Sequence, residues 1–280
     1  MKIFKNKDVR WSLIWLLTIT LISIWDAIFL NKPAAKLVVT GFVNTIVIAL
    51  LVIVFTLILG WIAAMAEHYL QKNRFLFVLL TFFFSLIRSV PQVVGILFGY
   101  IGVGILIQRG IVPSGVAVYF LLSLCMGVFI FLEMADCMRD RIEHYQKLDF
   151  YNAMRVCGIA EFRIINFNIL WKNSRIHIFN KLISVLGIAV FLQCSVDFII
   201  SVGLSKVANE ITLPVTLGNL LANIDSKQDI LAIGNTLTHP AYFGHLFFEH
   251  LQGVTAAFCI VFSLLCLYHI ANGYAERHKL

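Results

Sequence analysis

The sequence predicts an all-α, polytopic membrane protein of about six transmembrane helices with a cytoplasmic helix-turn-helix segment. Three observations carry that prediction. Apolar residues make up 60% of the 280-residue chain and charged residues 13%, with a mean hydropathy of +0.89; soluble domains are about one-quarter charged. The apolar residues are gathered into runs long enough to cross a hydrocarbon core of about 30 Å, which takes about 20 helical residues. The basic residues are divided unevenly among the polar segments between those runs. In lipid every backbone polar group needs an internal partner, so the runs are read as helices.

The first run, Trp11 to Leu30, follows Lys2, Lys5, Lys7 and Arg10. It is long enough to span and has no small-x-small cleavage site before Asn31, so it reads as an anchor behind a short polar start (residues 1-10), not as a secretory signal. The second runs from about Leu37 to Ala66 and ends in the polar stretch Glu67 to Arg74. A third stretch, Phe75 to Ile107, is too long for one span, since a helix of that length would reach about 50 Å. Arg88-Ser89-Val90-Pro91 interrupts it. Proline breaks a helix, so the prediction is an interfacial or tilted helix to Ile87 and a spanning helix after Pro91. The remaining runs are about Gly115 to Met134, Ile176 to Ser201 and Val254 to Ala271.

Topology follows from charge. With the N-terminus in the cytoplasm, seventeen of the 22 Lys and Arg residues fall inside and five (Lys32, Lys36, Arg109, Lys206, Lys227) fall outside. Both termini and residues 136-175 are then cytoplasmic, and residues 202-252 form an external loop within one membrane domain, 11-280. The net charge of +7 therefore reports orientation and not nucleic-acid binding. Six cysteines without a CxxC pair, most of them inside apolar runs, read as small hydrophobes. Neither a disulfide nor a metal site is expected.

The 40-residue connection 136-175 is long for a compact bundle. Asp149 is placed to cap a helix Phe150 to Cys157, and Gly158 suits the left-handed residue that ends it. A second, amphipathic helix from about Ala160 to Trp171 puts Phe162, Ile165 and Ile169 on one face. Such a short, rigid pair suits a mechanical coupler.

These residues carry a resemblance. Asn152-Ala153-Met154-Arg155-Val156-Cys157-Gly158, with Ile159 to Trp171 after it, resembles the cytoplasmic signature of binding-protein-dependent ABC transporter permeases of the MetI-like superfamily. That signature reads Glu-Ala-Ala, three residues, Gly, nine residues, Ile, one residue, Leu-Pro. Ala153, Gly158 and Leu170 are in register; Asn152, Met154, Asn168 and Trp171 depart from it. Arg88-Ser89-Val90-Pro91 looks like the Arg-Ser-x-Pro break common in the family, and Asn44-Thr45 resembles its Asn-Thr at the second span. The resemblance covers roughly residues 40 to 275. Leu217-Gly218-Asn219-Leu220-Leu221 and the final helix from Gln252-Gly253-Val254 look most like the dipeptide, oligopeptide and nickel branch, although the glycine- and arginine-rich segment of many such permeases is missing.

The resemblance implies a permease of a prokaryotic plasma (inner) membrane that imports a solute, with peptides as a candidate class. It implies separate ATPase subunits that bind the ATP, a second permease subunit in a homodimer or heterodimer, and an external solute-binding protein, all in a setting of membrane lipid. Asp149, Asn152, Ala153, Met154, Gly158 and Leu170 would form the ATPase-coupling site, and Arg88 and Pro91 the helix break. The chain has no GxxxxGK[ST] phosphate loop, so ATP hydrolysis is expected elsewhere.

Other features are read beside that frame. Asp197 is a pathway candidate, because intramembrane carboxylates are costly and often functional; Asp26 lies near the outer boundary and is expected to reach water. Glu133 and Asp136 share a helical face and read as solvated anchors, and Arg88 as a charge at a helix end or on lipid phosphates. His239, His245, Glu249 and His250 read as an ordinary external loop. His177 and His269 do not pair into a haem site. The alternative is a secondary transporter driven by an ion gradient, which would need inverted repeats and charged groups near the midplane.

Overall fold

A computed structural model describes residues 6–29, 32–113, 115–203, 213–222, 231, 234–244 and 251–277. The helices are α1 (Lys7–Phe29), α2 (Lys32–Leu70), α3 (Arg74–Ser89), α4 (Gln92–Gln108), α5 (Val116–Gln146) and α6 (Asp149–Val156). Then come α7 (Glu161–Arg163), which runs on as a π-helix (Ile164–Asn173), α8 (Arg175–Gly203), α9 (Leu217–Ala222) and α10 (Leu251–Arg277). No strand occurs among the described residues. Among the described residues five helices, α1, α2, α5, α8 and α10, are long and apolar enough to span alone, and the bent pair α3–α4 taken as one broken span is a sixth candidate.

The central pair is α2 against α5, with Ile48, Val52, Met126 and Ile130 fully buried. Small residues let the two backbones approach: a Cβ on Gly60 would lie 2.8 Å from that of Met134. Helix α1 packs outside, along α10. Trp15 Nε1 donates to Ser263 Oγ at 3.0 Å, and Trp11 stacks on His269 with ring centres 4.1 Å apart. Lys7 pairs with Glu276 at 3.0 Å and Asp8 with Arg277 at 2.9 Å. The start of α1 and the end of α10 therefore share one end of the bundle, hereafter the basic end. Helix α2 ends at the same end, where Glu67 meets Arg139.

The break expected at Pro91 is present as a 90° bend between α3 and α4. Proline has no N–H to continue α3, and it holds Val90 extended at φ −85°, ψ 122°. Arg88 of α3 is ion-paired with Asp136 near the end of α5, and Gln92 Nε2 donates to the Phe129 carbonyl. Helix α3 therefore crosses the basic end laterally. Phe84 and Ile87 pack on Ala63, Phe131, Leu132 and Ala135, and no residue of α3 is buried.

At the opposite end, residues 213–222 of the expected external loop fold back into the bundle. Leu217 and Leu220 of α9 are buried. Gly218 is pressed on α8 so closely that a Cβ would sit 2.5 Å from the Cys194 carbonyl oxygen. Asn44 Nδ2 donates to the Val215 carbonyl at 2.8 Å, Tyr119 OH donates to Asn44 Oδ1 at 3.0 Å, and Leu217 N–H donates to Thr45 Oγ1 at 3.1 Å. Six residues are too few to show a helical period in sequence, which is why this segment reads as loop.

Candidate functional site

The segment 149–173 hangs from the basic end, and its local sequence dictates its shape. Helix α6 starts at Asp149, capped by Leu148 with no side-chain hydrogen bond. This corrects the expectation that Asp149 is the cap. Its carboxylate stands exposed in the first turn, where the helix dipole favours a negative charge. Tyr151 is buried, and Met154 and Ile159 pack against the core. Asn152, Ala153 and Val156 face outward, Val156 being 89% exposed.

The helix closes with a complete Schellman pattern. Ile159 N–H donates to the Met154 carbonyl at 3.2 Å and Gly158 N–H to the Arg155 carbonyl at 3.0 Å, with Gly158 at φ +75°. A Cβ there would meet nothing within 4 Å. Glycine is favoured at this point by backbone conformation and not by lack of space.

The second helix differs from its expectation in winding. From Ile164 it is a π-helix with bonds five residues apart, as in Ser174 N–H to the Ile169 carbonyl at 2.8 Å. That period stacks Ile164 with Ile169 and Ile165 with Leu170, all four buried, and it leaves Phe162 and Trp171 exposed. Phe162, expected on one face with Ile165 and Ile169, is exposed while those two are buried. Leu170 is 5% exposed, so it holds the segment in place and does not form part of its outer surface.

Glu161 clamps the two helices to α2. Its carboxylate accepts from Tyr151 OH at 3.1 Å and contacts His68 Nε2 at 3.0 Å, with Lys72 at 3.9 Å. The hydrogen bond with His68 holds the Glu161 carboxyl below its usual range, although desolvation opposes it. Burial pushes the Tyr151 phenol up. Trp61 Nε1 donates to Asn166 Oδ1 at 2.7 Å and ties α2 to the π-helix as well.

Beside this segment a groove runs up the face of α8. Its lower part, about 660 Å³, is lined by Glu133, Asp136, Asp140, Arg141, His177 and Lys181. Its upper part, about 600 Å³, includes Gln92, Gly187, Tyr268 and Asn272, and both parts share Asn180 and Ser184. Glu133 and Asp136 are not free solvated anchors: Glu133 is ion-paired with Lys181, and Asp136 with Arg88 and Arg139. Arg139 also reaches Glu67 at 3.3 Å, completing a chain of charges across α3, α5 and α2.

Asp197 lines neither part of this groove. It is 7% exposed and accepts from Thr216 Oγ1 at 2.6 Å, as part of the seam that holds α9. Lys181, which sequence reasoning counted only as an inner-side cation, is a groove residue; a cation inside the fifth run was the available signal. The side chain of Asp26, and His245, Glu249 and His250, lie outside the described residues.

The model of the family described as binding-protein-dependent transport system inner membrane component matches residues 56–278. No curated protein sequence matches the chain. A solved structure described as an amino acid ABC transporter with histidines is similar at 16% identity, with a TM-score of 0.51, over 86% of this chain and 94% of that one. At that identity the likeness speaks for the fold alone.

Proposed function

The chain belongs to the family of binding-protein-dependent transport system inner membrane components, a membrane permease component and not an enzyme, and from this premise we propose that it couples solute import to a separate ATPase through residues 149–158. The observation that carries the proposal is the build of α6: Tyr151 and the Schellman turn at Gly158 fix it to the bundle, while Asp149, Asn152, Ala153 and Val156 stay open on its far side. The basic end faces the cytoplasm in this reading, which agrees with the distribution of Lys and Arg.

The ATPase subunits dock on α6. Asp149 supplies the acidic charge that Asn152 lacks, since it is not consumed in capping. Movement of the docked helix passes through the Glu161 clamp to α2, and through the charge chain to α3 and α5. The groove on α8 forms one wall of the translocation pathway, and a second permease subunit, identical or not, supplies the other. An external binding protein delivers the solute to the opposite end. A groove with both charge signs, Glu133 and Lys181, suits a small zwitterionic solute such as an amino acid or a short peptide. The resemblance of Leu217–Leu221 and the final helix to the dipeptide and oligopeptide branch favours the same class.

The test is ATPase capture by purified variants at equal expression. Gly158→Val and Ala153→Asp should leave the protein inserted in the membrane and lose coupled transport. Asp149→Lys should weaken ATPase association. If all three variants hold the ATPase and transport normally, residues 149–158 are not the dock.

A further inference from the structure

A second groove, of about 720 Å³, opens between α2, the π-helix, α8 and the end of α10. Its walls are almost wholly apolar, with Leu57 and Ile58 from α2 and Ile178 and Leu182 from α8. Its mouth at the basic end carries Trp61, Trp171 and Arg175. On α8 the groove runs from Arg175 at its mouth to Leu182, about 10 Å of helix rise, so its apolar walls reach from the basic end into the level of the membrane-spanning helices.

Arg175 is the one charged residue that lines the groove, and it makes no ion pair with any described carboxylate, whereas Arg88, Arg139 and Lys181 are each paired. Trp171, 71% exposed, stands where indole side chains favour the headgroup level. We propose that this groove binds an anionic phospholipid, with its acyl chains along Ile58, Ile178 and Leu182 and its phosphate at Arg175. Because the walls come from the π-helix as well as from α2 and α8, a seated lipid would bind the coupling segment to the bundle. This assignment does not depend on the transport reading.

The full chain is purified into nanodiscs of phosphatidylcholine alone or mixed with phosphatidylglycerol, and retained lipid is counted by native mass spectrometry. The parent protein should retain phosphatidylglycerol in preference to phosphatidylcholine. Arg175→Gln, an exposed change that leaves the core untouched, should weaken that retention about fivefold, the factor one cation contributes toward an anionic leaflet. Leu182→Trp, which fills the groove and keeps the charge, should abolish it. Added inorganic phosphate should not displace the lipid. The proposal fails if both variants retain phosphatidylglycerol like the parent, if the two lipids are held equally, or if phosphate alone empties the site. It also fails if cysteines replacing Phe162 and Trp171 cross-link two copies with no lipid retained, since a second copy is then the occupant.

Discussion

The two ends of the bundle are held together by different chemistry. At the basic end the joints are charged: Arg88–Asp136–Arg139–Glu67, Lys181–Glu133 and the Glu161 clamp, most of them partly exposed. At the opposite end they are neutral or hydrogen-bonded, buried and close, with α9 pinned by Asn44, Thr45, Thr216 and the contact of Gly218 with α8. Exposed ion pairs contribute little each and weaken in salt, whereas buried hydrogen bonds cannot be exchanged for water without loss. The molecule thus has a stiff end and an adjustable end, and the segment that would meet a soluble partner is on the adjustable one.

The largest break in that contrast should come at Gly218. Gly218→Leu has no space against the Cys194 backbone and should cost about 3 kcal/mol, seen as a fallen unfolding midpoint in detergent and a poor yield. Thr216→Val keeps the shape but leaves the Asp197 carboxylate without its donor; about 2 kcal/mol is expected in the same assay. If that variant is as stable as the parent, the opposite end is not a stiff seam.

Gly158 sharpens the comparison, because it is constrained by φ and not by space. Gly158→Val should cost only about 1 kcal/mol of stability, while Gly158→Asn, tolerant of the left-handed region, should stay close to the parent. Equal unfolding midpoints for the two variants would show that the turn relaxes freely.

The smallest effect concerns pH. Glu161 has its carboxyl held below the usual value of 4.5, so its contribution is present above that value and is lost as pH falls through the lowered one. Partial exposure limits the effect to a few tenths of a kcal/mol. The stability difference between parent and Glu161→Gln should therefore be present near neutral pH and close as pH falls below the glutamate range. A difference that stays constant would assign the clamp to packing.

Much of the fold was legible because a bilayer demands long apolar helices. The six runs, the bend at Pro91 and the left-handed Gly158 all follow from local residue chemistry. What escaped depends on partners distant in sequence. Glu133 and Asp136 share a face, as their spacing says, yet Lys181 and Arg88 lie 48 residues from them on other helices. The π winding of Ile164–Asn173 buries Ile164 and Leu170 beside Ile165 and Ile169, whereas Phe162, grouped with Ile165 and Ile169 by an α-helical period, is exposed. Asp197 drew attention as a lone carboxylate, and its role became clear only when α9 was seen to bring Thr216 against it.

The lateral course of α3 governs the parity of every crossing that follows it. The apolar stretch from Phe75 to Ile107 has more residues than one crossing needs and fewer than two crossings of about 20 residues each require. The bend at Val90–Pro91 and the Arg88–Asp136 pair turn the surplus sideways as α3, so that the bent pair counts as one candidate span. One proline and one arginine, far in sequence from residues 149–173, thus set how many crossings separate that segment from the start of the chain.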